Sequence, residues 1–255
     1  MAKFCNKCGK PLVDGICPDC SKKVEEQEHT SQKELGTALI DIIKNIWKKP
    51  VETIHSYVKE SNMSLSFILL GISVLIGGLF TYFNTNSIIN GVVADINNKM
   101  TGIASMLGES YIATTPATEI SFFSMFLTGI ITSALAYTFF ILLAKLFVGI
   151  VFKGKGTLKE FTTTVAVAST FPTTFSVIGI LTSFISYQLT SFIYLAGLIL
   201  FIVVVVQSFI EVLKANKERL GYAIPLTVII TYVGLIIINI IILAIITTSQ
   251  VTPIY

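Results

Sequence analysis

Five long apolar stretches dominate the chain after residue 64. None of them contains a charged residue, and each is close to or above the roughly 20 apolar residues that a helix needs to cross a bilayer. They cover residues 65–83, 120–144, 161–184, 192–210 and 222–246. The pattern predicts an all-α fold: a five-span transmembrane helical bundle within residues 61–255, in contact with the lipid bilayer.

The segment ahead of the first span has helical periodicity without being continuously apolar. In residues 35–60, apolar side chains fill one half of a helical wheel and charged side chains the other, which predicts an amphipathic helix beside the membrane. Pro50 is expected to break or kink it. Such an interfacial helix can lie along an anionic inner leaflet or pack beneath the bundle, and the pattern leaves both open.

Residues 84–119 connect the first and second spans. Apolar residues between Ile89 and Leu107 recur every three or four positions, so a helix of a few turns is predicted within this loop. It can rest on the outer membrane surface or cap the bundle, and the sequence does not decide between the two.

The charges orient the bundle. Hydrophobic residues make up 53% of the chain and charged residues 13%, against about 25% charged in a typical soluble domain. Of the 18 lysines and arginines, 10 precede Ser61, four lie in 145–159 and three in 214–219, leaving only Lys99 elsewhere. With five spans these clusters share one side, so the positive-inside rule predicts a cytoplasmic amino terminus and an outside carboxyl terminus.

We expect a multi-pass protein of the cell (plasma) membrane. Lysine outnumbers arginine 17 to 1, which indicates a bacterial source with an AT-rich genome.

Two Cys-x-x-Cys pairs near the amino terminus predict a metal site. Each pair can form a tight knuckle that places two thiolates on one zinc ion. The start of the chain has no apolar signal segment, so these thiols are expected in the reducing cytoplasm, where metal binding is favoured over disulfides. We expect one structural Zn²⁺ per chain in a zinc ribbon of residues 1–22, followed by a flexible linker at 23–34. The predicted metal ligands are Cys5, Cys8, Cys17 and Cys20.

The third span is the least apolar and carries a group of hydroxyls. Thr163, Thr170 and Thr174 share one helical face, with further serines and threonines beside it, and Pro172 interrupts the span. Hydroxyls on a membrane helix can return their hydrogen bonds to the backbone, which favours a packing role. A polar path through the bundle is the alternative.

Small residues predict close helix contacts in the first two spans. Ser73-x-x-x-Gly77 and Gly129-x-x-x-Ser133 each place two small residues on one helical face. Packing of this kind also leaves a homo-oligomer open.

Several kinds of chemistry are excluded. The spans contain no aspartate, histidine or paired carboxylates, and the chain lacks the metalloprotease and serine-hydrolase motifs. Gly154-Lys155-Gly156 joins two membrane helices and lacks the full glycine pattern of a phosphate loop. We therefore expect no enzymatic activity, no catalytic residue and no bound nucleotide. Nucleic acid is not expected as a partner, because residues 1–23 carry five lysines, no arginine and a single aromatic residue.

Three short motifs resemble those of the Yip (Rab-interacting) family of membrane proteins. They are Trp47-Lys-Lys-Pro50 before the first span, Lys153-Gly-Lys-Gly-Thr157 in the turn after the second, and Ala168-Ser-Thr-Phe-Pro172 in the third. The resemblance covers residues 45–248 and implies a five-span fold with a long first outer loop. The acidic-Leu-Tyr-Gly-Pro motif of eukaryotic members is absent, so it does not extend to Rab binding. Residues 1–22 resemble the zinc ribbon that opens many bacterial membrane proteins.

Two functional hypotheses follow. In the first, the protein is a non-enzymatic scaffold or adaptor whose cytosolic zinc ribbon docks a protein partner. In the second, it is a small-solute transporter or permease that uses the hydroxyl-rich third span. A dry, tightly packed bundle favours the first, whereas a continuous polar path favours the second. We prefer the scaffold.

Overall fold

The computed structural model describes residues 36–60, 63–108, 121–151 and 155–249, and these residues form helices and the turns between them. A first helix, α1, covers 36–45. The others are α2 (Pro50–Glu60), α3 (Met63–Met106), α4 (Phe122–Ala144), α5 (Leu158–Ala168), α6 (Thr170–Thr182), α7 (Tyr187–Glu211) and α8 (Lys217–Ser249). A π-helical segment, Lys145–Val151, continues α4.

Five helical segments of the described chain are long and apolar enough to span a membrane. They are Met63–Met106, Phe122–Val151, Leu158–Thr182, Tyr187–Glu211 and Lys217–Ile238. The all-α, five-span prediction is therefore confirmed, although most helices extend past the predicted span limits. The third span lies at the centre: 56% of its most apolar window is buried, against 22–33% in the others.

The first span and the predicted loop helix are one continuous helix. α3 runs without interruption for 44 residues, or about 66 Å at 1.5 Å per residue, whereas the hydrocarbon core is about 30 Å thick. The predicted helix within 84–119 is therefore present, but the prediction that it is separate from the first span is wrong. Contacts with the turn between α6 and α7 support the extension, because Ser87 Oγ donates to the Ser183 carbonyl at 2.7 Å. Gly91 lies against the ring of Tyr187.

The helices ahead of the first span pack beneath the bundle. Ile42 in α1, Ile46 in the turn after it and Ile54 in α2 are completely buried. α2 packs against α5 and α7, and the ring centroid of Trp47 lies 4.9 Å from that of Phe171. Of the two arrangements that the amphipathic pattern leaves open, the structure has the packed one. α2 begins at Pro50. Proline is tolerated at the first position of a helix, because the N–H group that it lacks would have no partner within the helix.

The third span is broken at one residue. α5 ends at Ala168 and α6 begins at Thr170, so Ser169 separates them. Pro172 lies in the first turn of α6, where proline is tolerated. The interruption expected from Pro172 is therefore present, three residues before the proline itself.

The predicted small-residue contacts face each other. A Cβ atom built on Gly129 of α4 would lie 2.8 Å from the Cα atom of Gly78 in α3, so only hydrogen fits at this crossing. One turn away, Gly77 faces Ser133. α3 and α4 therefore approach closely enough to pack backbone against backbone.

Candidate functional site

A cluster of hydroxyls joins the first span to the break in the third. Ser73 Oγ in α3 lies 2.8 Å from Ser169 Oγ, and Thr173 Oγ1 in α6 lies 2.7 Å from Ser73 Oγ. Ser169 lies at the break between α5 and α6, and its hydroxyl also reaches the Ala166 carbonyl at 2.8 Å. The break thus places a side-chain hydroxyl where α3 can bond to it.

A second hydroxyl contact lies two helical turns along α3. Ser66 Oγ donates to Thr163 Oγ1 of α5 at 3.1 Å, and both residues are buried. α3 is therefore connected to the third span on both sides of the break.

Most other hydroxyls of the third span donate to backbone carbonyls three or four residues earlier in the same span. Thr170 Oγ1 donates to the Val167 carbonyl and Thr174 Oγ1 to the Thr170 carbonyl, each at 2.8 Å. The threonine face that the sequence singles out is therefore divided: Thr163 bonds across helices, whereas the other two bond locally. Bonds of this local kind let a polar side chain sit in an apolar interior without a distant partner.

A cavity of about 130 Å³ adjoins the cluster, between α3, α4, α6 and α7. No charged side chain of the described residues lines it. Its hydroxyl-bearing lining residues are Ser73, Ser133, Tyr137, Thr173, Ser176 and Tyr194. The hydroxyl of Tyr137 lies near those of Ser73, Ser169 and Thr173, and the Tyr194 ring stacks on Phe80 with 4.6 Å between centroids.

Aromatic side chains close the cavity toward the end of the bundle that carries the lysine-rich turns. The Phe201 ring lies 5.4 Å from that of Phe140, between centroids, and 6.5 Å from that of Tyr137. Farther along, Val205 and Phe209 are completely buried. The cavity is therefore local, and an apolar layer separates it from that end.

The turn between the second and third spans has its own set of contacts. The Lys145 ammonium donates to the Gly156 carbonyl and lies 5.5 Å from the centre of the Phe161 ring. Gly156 has a φ angle of +128°, which an L side chain rarely adopts. Thr157 and Glu160 form a capping box at the start of α5.

These contacts explain the glycine-lysine motif without a ligand. A phosphate would need the free N–H groups at the start of α5, but the Thr157 N–H donates to the Glu160 carboxylate. The glycine is needed for its φ angle, and the threonine for the cap. Lys153 and Gly154 lie outside the described residues.

The Yip1 domain matches residues 44–238. The chain belongs to the Yip1 domain family. The matched range runs from the end of α1 well into α8, so it takes in the hydroxyl cluster, the cavity and the turn at Gly156. Yip1 is not an enzyme family. No curated protein and no solved structure matches the chain.

The predicted zinc ligands lie outside both the matched range and the described residues. Cys5, Cys8, Cys17 and Cys20 therefore stay a prediction. In the four described ranges, no group of three or more His, Cys, Asp or Glu side chains could hold a metal ion. His55 is exposed on α2.

Sequence reasoning missed the two tyrosines of the cavity. Tyr137 and Tyr194 lie well inside α4 and α7, whereas membrane tyrosines are usually enriched at the interfaces. Their mid-span position in the sequence could have indicated a polar site, because a buried tyrosine hydroxyl usually has a hydrogen-bonding partner nearby. The inward course of the Lys145 side chain was also missed, because a lysine at the end of a membrane helix ordinarily extends toward the membrane surface.

Proposed function

We propose that this Yip1 family protein is a non-enzymatic membrane scaffold or adaptor, and that a cytosolic zinc ribbon at its amino terminus docks a protein partner. The two Cys-x-x-Cys pairs support the ribbon, and the polar, aromatic-free linker that follows them suits a tether. Among the described residues, no Asp, Glu, Lys, Arg or His side chain is buried, so the described interior holds no charged group of the kind that couples transport to protons.

The observation that carries this proposal is the anchoring of the amino-terminal helices. Ile42, Ile46 and Ile54 are buried against the bundle, so the helices that begin the described chain are held at a fixed place on it. α2 packs on α5 and α7, close to the turns that hold most of the remaining lysines. A ribbon on a short linker would therefore be presented at this end of the bundle.

The orientation is part of the proposal. The described lysines of 145–159 lie at the same end of the bundle as those of 214–219, because the segment Lys145–Val151 packs against α8. α2, which carries Lys59, packs against α5 and α7 at this end too. By the positive-inside rule this end faces the cytoplasm, with the carboxyl terminus outside. A bacterial plasma membrane is the compartment we infer from the charge pattern and from the excess of lysine over arginine.

Crosslinking and pull-down of the full-length protein in its native membrane test the scaffold. Deleting residues 1–34 should abolish recovery of the partner while the five-span bundle still inserts and folds. Cys8→Ser, which keeps the segment and removes one zinc ligand, should have the same effect, and Ser21→Ala should retain the partner. If the variant that lacks residues 1–34 recovers as much partner as the full-length protein, the partner does not dock through the ribbon.

Transport of a small solute is the second candidate. The cavity of about 130 Å³ with its hydroxyl lining favours it. Against it, the hydroxyls of Thr170 and Thr174 already donate to backbone carbonyls of the third span, and the layer around Phe201 closes one side of the cavity. The scaffold therefore has the better support.

A further inference from the structure

We propose that the cavity between α3, α4, α6 and α7 binds the polar end of an uncharged, lipid-soluble molecule that carries a hydroxyl or carbonyl group. The molecule would enter sideways from the bilayer, between α4 and α7. This inference does not depend on the zinc ribbon or on docking of a protein partner.

Three hydroxyls of the cavity lack a protein partner. Among the described residues, none forms a hydrogen bond with the hydroxyls of Ser133, Ser176 or Tyr194, although all three line the cavity. Most threonine hydroxyls of the third span, by contrast, donate to backbone carbonyls. The three cavity hydroxyls are therefore available to a molecule in the cavity, since one hydrogen bond contributes about 0.5–1.5 kcal/mol net. A hydrogen-bonding occupant would satisfy these groups together.

The lining selects against charge. No Asp, Glu, Lys, Arg or His side chain lines the cavity, so an ion there would have no counter-charge in a low-dielectric interior. Hydroxyls can donate to a carbonyl oxygen and accept from a hydroxyl group. The rings of Tyr137, Tyr194 and Phe201 and the side chain of Leu198 supply apolar surface beside them. A neutral group with one hydrogen-bonding atom fits this lining.

The volume suits a small head group. At about 130 Å³, the cavity is close in size to an engineered apolar cavity of about 150 Å³ that binds benzene. It therefore has room for a ring or a short branched group, but not for a whole lipid. The rest of an amphiphile would have to lie outside the bundle.

The space between α4 and α7 is the entry route. α4 packs against α3 and α8, whereas α7 packs mainly against α6. Ser133 and Ala136 of α4, and Tyr194 and Leu198 of α7, are partly exposed where the cavity reaches the bundle surface. The contact of Phe201 with the α4 aromatics closes the gap below them. An apolar tail can therefore lie against the helices while the polar end reaches Tyr194.

Photolabelling of the full-length protein in phospholipid nanodiscs tests the proposal. The probe is hexadecanol with a diazirine near its hydroxyl end, and hexadecane with the same diazirine is its control. The alcohol should label α4 and α7 near Ser133 and Tyr194, and excess unlabelled hexadecanol should suppress that labelling. Excess hexadecane should not.

Three variants separate the cavity from general lipid contact. Ala136→Phe should fill the entry and abolish the saturable labelling, whereas Ile131→Phe, at an exposed position of the same helix, should retain it. Tyr194→Phe keeps the ring and removes the hydroxyl, so it should weaken apparent affinity about fivefold, as expected for one hydrogen bond. Equal labelling by the hydrocarbon probe, or full labelling in both Ala136→Phe and Tyr194→Phe, would show that the probes only contact the outer surface of the bundle and would overturn the proposal.

Discussion

The ammonium group of Lys145 donates a hydrogen bond to the carbonyl oxygen of Gly156, across the turn that joins the second and third spans. The side chain passes Gly149, where a Cβ atom would lie 3.1 Å from Lys145 Cδ. It ends over the Phe161 ring. A lysine at the end of a membrane helix would be expected to extend toward water, but here it turns inward and holds the following turn against α5.

Replacing Lys145 by methionine should destabilise the bundle. A hydrogen bond from a charged group contributes about 1.5–3 kcal/mol, and methionine keeps most of the apolar stem. Thermal unfolding of the purified protein in detergent measures the effect. Lys155→Met is the matched control, because Lys155 is exposed in the same turn. If the two variants unfold at the same temperature, the bond to Gly156 contributes nothing measurable.

Gly129→Ala should separate α3 from α4. The added Cβ would lie 2.8 Å from Gly78 Cα, a backbone atom that cannot move by side-chain rotation. Overpacking of this kind typically costs about 1–3 kcal/mol. Gly71→Ala, in the first span but with no heavy atom within 4 Å of the new Cβ, should leave stability unchanged or slightly raised. The two unfolding temperatures can be compared directly, and an equal shift would contradict a tight crossing at Gly129.

The spans could be predicted because lipid imposes a simple requirement, namely a helix of sufficient length without charge. The contacts of Gly77 and Gly129 could be predicted for a similar reason, since close helix packing in a membrane uses small residues. These features depend on local composition and on periodicity, both of which are visible in one sequence.

Other features depend on partners that are distant in sequence. Asn84 to Ser87 resemble a turn, yet α3 continues through them because Ser87 and Gly91 meet the turn after α6. The hydrogen bonds of the third-span threonines also depend on a distant partner. The direction of a threonine side chain relative to α3 decides whether it bonds to a carbonyl of its own span or to Ser73. That direction follows from the break at Ser169, which lies three residues before Pro172.

Zinc should bind to the full-length protein at one ion per chain. The spacing of Cys5 and Cys8, and of Cys17 and Cys20, allows two knuckles around a single ion. Metal analysis of the purified protein measures the content. Cys8→Ser should lose zinc because an incomplete ligand set binds it weakly, and the neighbouring substitution Ser21→Ala should not. Protein purified without zinc, or an unchanged zinc content in Cys8→Ser, would contradict the site.

The amino terminus should be inside and the far end of α3 outside. In a background in which all four cysteines are replaced by serine, Gly102→Cys should react with a membrane-impermeant thiol reagent in intact cells. Lys155→Cys, in the turn after the second span, should react only after the membrane is opened. Both positions are exposed, so access to the reagent depends on the side of the membrane alone. The reverse labelling pattern would invert the topology.

Replacing Thr170 and Thr174 together by valine should change function little. Both hydroxyls donate to backbone carbonyls three or four residues earlier in the same span, and valine has nearly the same shape as threonine. Thr173→Val should be more harmful, because it removes the contact with Ser73 that joins α6 to α3. Interhelical bonds of this kind contribute about 0.6 kcal/mol on average and up to about 1.7 kcal/mol, so unfolding should shift measurably only for Thr173→Val.

The same variants distinguish the scaffold from the transporter. A scaffold depends on the docking segment, so partner recovery and growth should survive the Thr170 and Thr174 double substitution and be lost on deleting residues 1–34. A transporter depends on the hydroxyls along the path of its solute. If the double variant inserts normally, unfolds at the wild-type temperature and still loses activity in cells, then those hydroxyls line a path, and transport is the better account of this protein.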